Sequence, residues 1–137
     1  KINVEAASRE VFERVCPKKD YDMAFEMLSH AVGVFGRGKV TSNVIVGMGE
    51  STEDIVDTLE RLTSMGVCPG IRPLKVNDSN SGPLRILGIG EPLDVDSLIA
   101  IASLQKDAMV SQGLDTRTFS SMCFECGCCD LVPFKDF

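Results

Sequence analysis

The sequence has no cluster of Lys and Arg, no long apolar segment and no internal repeat. The missing basic cluster argues against a nucleic-acid partner, because phosphate binding needs grouped cations, and the 137 residues carry a net charge of −6. Every apolar run falls far short of the ~18 residues that cross a membrane, so we expect no membrane partner. The chain starts at Lys1 without a Met or a signal peptide, which leads us to expect part of a longer protein.

The composition is that of a folded domain. Hydrophobic residues make up 44% and charged residues 25% of the chain, which argues against disorder. The length allows one domain with one core. We divide the chain into a main unit, residues 1–120, and a Cys-rich tail, residues 121–137.

The patterning predicts an α/β fold. Strands are predicted at 1–5, 39–47, 70–76 and 117–120, and helices at 8–15, 21–35 and 94–112 and between Ser51 and Gly66. The segment 77–93 is predicted as a long loop, and the inward positions of helix 21–35 include Met27 and Phe35. Alternating strands and helices favour right-handed crossovers and a parallel sheet. A closed (β/α)8 barrel takes about 200–250 residues, so the sheet is either small and open or part of a larger barrel.

Four of the six cysteines lie within seven residues: Cys123, Cys126, Cys128 and Cys129. Such crowding favours metal or iron–sulfur ligation in a reducing compartment, so we expect a cytoplasmic protein. The spacing Cys-x2-Cys-x-Cys-Cys suits Zn²⁺, a single iron or an iron–sulfur cluster. Cys16 and Cys68 stand alone and are predicted to be buried small side chains.

Three segments, in order, resemble the biotin-synthase-like branch of the radical S-adenosylmethionine (SAM) enzymes. NVEAASREVFERVCP, at 3–17, is similar to the stretch after the fourth barrel strand of that family. NVIVGMGE, at 43–50, is similar to its Gly-x-Ile-x-Gly-x-x-Glu motif, with Asn43 in place of the first Gly. GIRPLKVNDSNSGPL, at 70–84, resembles the sixth strand and its exit loop. The resemblance implies the C-terminal half of a (β/α) TIM-type barrel with parallel strands, followed by an irregular Cys-rich tail.

The resemblance also implies a binding site. Asn3 and Glu5 would hold the polar end of SAM, although Ala6 stands where the family has Thr. The residues that would flank the adenine are Ile45, Val46, Gly47, Pro73 and Leu74. Glu50 is expected to fix a turn. Without the resemblance, Asn3 and Glu5 could equally cap the following helix.

The family holds a [4Fe–4S] cluster on Cys-x3-Cys-x2-Cys, a pattern that this chain lacks. We therefore expect the cluster in a missing N-terminal part, and a chain that is inactive alone but contributes to radical chemistry on a small molecule. The resemblance implies an auxiliary iron–sulfur site at the tail, with a structural zinc site or free thiols as the alternatives. It also offers Arg117 as a neighbour of that site, although a surface arginine near a helix end is the preferred interpretation. A small non-enzymatic metal-binding α/β domain is the rival hypothesis. A half barrel exposes sheet edges, so self-association is expected.

Overall fold

The computed structural model describes residues 1–89, 93–119, 122–128 and 131–137. Its elements in chain order are β1 (Glu5–Ala6), α1 (Arg9–Val15), α2 (Tyr21–Phe35), β2 (Val40–Val46), α3 (Thr52–Ser64), β3 (Val67–Pro73), α4 (Ser81–Ile86), α5 (Val95–Ser111), a 3-10 turn (Thr116–Thr118) and α6 (Met122–Cys126). Among these helices, none has the length and apolar character needed to cross a membrane.

The three strands form one open parallel sheet in the order β1-β2-β3. Glu5 lies level with Val44 on β2, and Val46 lies level with Pro73 on β3. The predicted mixed α/β fold with a parallel sheet is therefore confirmed. All three strands end at the same edge, which we call the carboxyl edge.

Capping residues fix where the long helices begin. Ser51 and Asp54 form a reciprocal capping box at the start of α3, as the Ser-x-x-Asp pattern predicts. Asp20 accepts hydrogen bonds from Asp22 and Met23 at the start of α2, and Asp94 accepts one from Ser97 at the start of α5. These three helices were predicted within a residue or two of their observed bounds.

The main core lies between the sheet and the helices. β2 contributes Val40, Val44 and Val46, which recur at every second or fourth residue as a strand requires. A second, smaller cluster joins the start of β3 to the C-terminal segments. Its buried members are Cys68, Met109, Leu114, Phe119, Phe124 and Val132.

Four predictions of local structure were wrong. The strand predicted at 1–5 is limited to the two residues Glu5–Ala6. β3 begins at Val67, three residues before the predicted start, because Val67 and Cys68 are buried strand positions as well. Within the described part of 117–120, the chain forms a 3-10 turn, since the Asp115 side chain accepts from the Arg117 amide and closes the backbone locally. The predicted loop 77–93 contains the short helix α4.

The inward face of α2 was also predicted incorrectly in part. Met27 and Phe35 are exposed, while Tyr21, Phe25 and Leu28 are buried against the core. Tyr21 and Phe25 occupy the buried positions because Phe12, Tyr21 and Phe25 pack edge to face in succession.

Candidate functional site

The end of β1 lies beside the second half of β2. Asn3 Oδ1 accepts a hydrogen bond from the Asn43 amide at 3.2 Å, so Asn3 is tied to the middle of β2. Glu5 lies further along, level with Val44. The cap of α1 is Ser8, whose hydroxyl accepts from the Val11 amide. The alternative that Asn3 and Glu5 cap this helix was therefore wrong.

Glu5 has an unusual backbone conformation. Its φ of 65° lies in the left-handed region, which costs a non-glycine residue about 1 kcal/mol or more. Its carboxylate accepts from Lys19 Nζ at 2.8 Å, and the same contact raises the pKa of Lys19. The structure therefore holds an acidic side chain in a strained position beside the carboxyl edge.

The tip of β2 is a turn organised by Glu50. The Glu50 carboxylate accepts from the amides of Gly47 at 2.5 Å and Met48 at 2.9 Å. Gly47 has a φ of 95°, which glycine adopts without steric cost. The predicted role of Glu50 in fixing this turn is confirmed, and it occupies both amide donors at the strand tip.

The tip of β3 meets this turn directly. The Leu74 amide donates to the Val46 carbonyl at 2.8 Å, and Pro73 lies level with Val46. A methyl group built on Gly47 would lie 3.3 Å from Leu93 Cγ and 3.8 Å from Leu74 Cβ. Five of the predicted residues thus lie together around the tips of β2 and β3: Ile45, Val46, Gly47, Pro73 and Leu74. Glu5 is one strand away, and Asn3 lies deeper in the sheet.

A cavity of about 690 Å³ opens beside Gly47, between the starts of α3 and α5. Its wall is mostly apolar and includes Ile55 of α3 and Ile101 of α5, with Glu50 and Arg85 among its polar groups. The lining includes Gly47 but not Asn3, Glu5, Pro73 or Leu74. The predicted residues therefore lie at one edge of the sheet, and of them Gly47 alone lines this cavity.

The Cys-rich tail packs on the sheet through α6. Cys123 is half-buried, whereas Cys126 and Cys128 are exposed, and Cys129 lies outside the described residues. Within the described ranges, no group of three or more His, Cys, Asp or Glu side chains could hold a metal ion. The three cysteines that the structure describes thus do not form a metal site in this arrangement.

Sequence reasoning missed the surroundings of Cys123. Its sulfur accepts from Arg72 at 3.1 Å and from Lys1 Nζ at 3.3 Å. Next to it, the Phe124 ring lies 3.8 Å from a methyl group built on Gly70. Gly70 and Arg72 alternate along β3 and so share one face of the sheet, which was the available signal. Arg117 is exposed and pairs with Asp115 at 2.6 Å, as expected for the surface arginine that was preferred over a neighbour of the tail cysteines.

The isolated cysteines behave largely as predicted. Cys68 is fully buried, and burial raises the pKa of its thiol to about 12. Cys16 is half-buried, and burial raises its thiol pKa as well. Both thiols are therefore protonated and poorly nucleophilic at neutral pH.

Comparison with known proteins identifies no relative: no protein-family model, curated protein or solved structure matches the chain.

Proposed function

We propose that the chain is the C-terminal part of a radical SAM enzyme related to biotin synthase, whose [4Fe–4S] cluster is held by an N-terminal part. The observation that carries this proposal is that Glu5, the Gly47 turn and Leu74 all lie at the carboxyl edge of one parallel sheet. In parallel α/β folds, ligands bind at the carboxyl ends of the strands.

Each strand tip contributes a different kind of contact. The Glu5 carboxylate matches the ammonium group at the methionine end of SAM, and Asn3 supports the same end. Ile45 and Val46, with Pro73 and Leu74, offer an apolar border for the adenine. Gly47 allows close approach because it has no side chain. The strained φ of Glu5 adds support, since such outliers concentrate at functional sites.

Binding requires two local changes. Lys19 now neutralises Glu5, so the ammonium group of SAM would replace the Lys19 Nζ contact. Leu93 lies against Gly47, so the adenine would displace it. The Glu50 contacts to Gly47 and Met48 remain, because they hold the shape of the turn.

When bound, the [4Fe–4S] cluster of the N-terminal part would supply the electron for the cleavage of SAM. The residues of this chain bind and orient SAM and a small-molecule substrate, and the chain alone is inactive. The tail cysteines are proposed to bind an auxiliary iron–sulfur cluster, with zinc as the alternative. The three described cysteines do not fit either group in their present arrangement, so binding would require the tail to rearrange. Metal analysis and absorbance after anaerobic reconstitution test the tail: a broad band near 400 nm indicates iron–sulfur, and colourless zinc favours a non-enzymatic metal-binding domain.

SAM binding by calorimetry to the intact protein tests the main proposal. Gly47→Ala should weaken binding at least about tenfold, because a methyl group would fill the space beside the adenine. Gly113→Ala is the matched control, because Gly113 also has positive φ but faces open space far from the edge. Glu5→Gln should weaken binding, whereas Glu125→Gln should not. No SAM binding by the intact protein, or equal effects of the two glycine variants, would reject the proposal.

A further inference from the structure

The cavity beside Gly47 is built by four segments that are distant in the sequence. They are the turn that ends β2, the first turn of α3, the end of α4 and one face of α5. The face of α5 consists of Ser97, Ala100, Ile101 and Leu104, which recur at the three- and four-residue spacing of a helix surface. The cavity volume of about 690 Å³ is within the range of ~300–1,000 Å³ that is typical of small-molecule sites.

The floor of this cavity is apolar and shielded from water. Ile55 of α3, Ile89 after α4 and Ile101 of α5 line the cavity, yet they are only 4%, 5% and 7% exposed. None of these three side chains can form a hydrogen bond. A ligand that reaches the floor must therefore bring a hydrocarbon group, because a polar group would lose its hydrogen bonds with water there.

The rim of the cavity differs from the floor because it carries a cation. Arg85, near the end of α4, is exposed and lines the cavity. Within the part of the chain that the structure describes, no carboxylate forms an ion pair with Arg85. Glu50, the carboxylate that also lines the cavity, is held by the amides of Gly47 and Met48. The Arg85 guanidinium is thus available to pair with an anionic group of a ligand.

The charges around the rim favour a ligand with one negative charge over a ligand with two. Among the described lining residues, Arg85 is the single cation. Acidic side chains lie in the first turns of the two helices that border the cavity: Glu53 in α3 and Asp96 in α5. A phosphate ester carries about −1.5 to −2 charges at pH 7 and would be repelled by these groups more than a carboxylate would.

We propose that this cavity binds an aliphatic carboxylate, with the hydrocarbon chain on the isoleucine floor and the carboxylate paired with Arg85. Guanidinium and carboxylate groups match each other in charge and in hydrogen-bond geometry. The inference goes beyond the proposed function and does not rest on it, because it concerns binding in the absence of SAM. A protein that binds SAM but no aliphatic carboxylate would overturn this inference alone.

Straight-chain carboxylates of increasing length, from butanoate to decanoate, test the floor. Each is titrated into the intact protein by calorimetry, without SAM. The dissociation constant should fall about fourfold for each added methylene group, because each one leaves water for the apolar floor, and the gain should stop once the chain fills the cavity. Dissociation constants above about 1 mM for all of these carboxylates, or an affinity that does not depend on chain length, would reject the proposal.

Octanoate and 1-octanol have the same hydrocarbon chain length but differ in charge, so together they isolate the contribution of Arg85. Arg85→Gln should weaken octanoate binding about fivefold, as expected for an ion pair that water still reaches, and should leave 1-octanol binding within about twofold. Lys18→Gln is the control and should change neither, because Lys18 is exposed but is not a lining residue. Equal losses for the two ligands in Arg85→Gln, or tighter binding of octyl phosphate than of octanoate, would contradict the pairing.

A larger side chain at the rim tests where the ligand binds. Ala100→Leu should weaken octanoate binding at least about tenfold, because Ala100 is an exposed lining residue and leucine would occupy part of the cavity. Ser103→Leu is the matched control: Ser103 is exposed on the same helix but is not a lining residue, so binding should be unchanged. Leucine favours helix, so circular dichroism should show equal folding of both variants. Equal effects of the two variants on binding would place the ligand elsewhere and overturn the proposal.

Discussion

The two outer edges of the sheet are built differently. Along β3, the peptide groups that point away from β2 belong to Val67, Pro69, Ile71 and Pro73. The alternate residues direct their peptide groups toward β2, as the hydrogen bonds of Leu74 and Gly66 show. Two of these four positions are prolines, which have no N–H to donate. The Pro69 carbonyl is further occupied by Gln105 Nε2 at 2.6 Å. The outer edge of β1 has no proline and no covering side chain of this kind among the described residues.

The difference shows in which direction the sheet can be extended. Proline and side-chain caps are common ways to close a strand edge against further pairing. The β3 edge is thus closed within the chain itself, by the sequence of β3 and by α5. Among the described residues, no further strand pairs with the outer edge of β1.

Substitutions of Gln105 test the closed edge of β3, and they should change the free energy of unfolding the most. Its side chain is fully buried, so Gln105→Ala should lower the free energy of unfolding by about 3 kcal/mol, from lost packing and an unsatisfied Pro69 carbonyl. Gln105→Leu keeps most of the volume and also removes a buried oxygen that has no partner among the described residues, so it should lose only about 1 kcal/mol. Urea unfolding measures both. Equal losses would show that the hydrogen bond, rather than packing, dominates.

Cys68, at the start of β3, gives a smaller effect that depends on pH. The folded thiol, with its pKa raised to about 12, stays protonated while the unfolded thiol ionises above about 8.5. The unfolded state then binds fewer protons, so stability is fully present below pH 8.5 and falls at higher pH. The loss should approach about 1.4 kcal/mol per pH unit between those pKa values. The free energy of unfolding of Cys68→Ala should therefore fall less between pH 8 and pH 10 than that of the wild type. An equal fall in the two proteins would contradict burial of the thiol.

Glu5, at the open edge, should give the smallest change in stability. Lys19 is mostly exposed, so water screens its pair with Glu5, and Glu5→Gln should cost less than about 0.5 kcal/mol. Thermal unfolding of Glu5→Gln, compared with that of the control variant Glu125→Gln, measures this loss of stability. A loss comparable to that of Gln105→Ala would show that the β1 edge depends on this pair as much as the β3 edge depends on Gln105.

Much of the fold could be predicted because its signals are local. Ser51 and Asp54 mark the start of α3 through contacts three residues apart, and the β-branched run at 40–46 marks β2. The burial of α2 was harder to predict, because Met27 and Phe25 are both apolar and only the packing of Tyr21 and Phe12 decides between them. The turn at 116–118 was missed because the Asp115 side chain competes with extended backbone, which apolar periodicity does not record.

The candidate site was predictable in its location along each strand but not in its contacts. Parallel strands place Glu5, Gly47 and Leu74 at one edge whatever their side chains do. That Lys19 neutralises Glu5, or that Arg72 reaches Cys123, depends on distant segments meeting in space. Alternation along β3 places Gly70 and Arg72 on one face of the sheet, but it does not identify the distant segment that packs there.

The absence of a side chain at Gly70 decides how far the anchored helix α6 lies from the carboxyl edge. Because the Phe124 ring sits over this glycine, α6 is anchored level with Asn43, three residues before the end of β2. Three residues of strand span about 10 Å. The point at which the tail is anchored on the sheet therefore lies roughly that far from the carboxyl edge, where the strand tips meet.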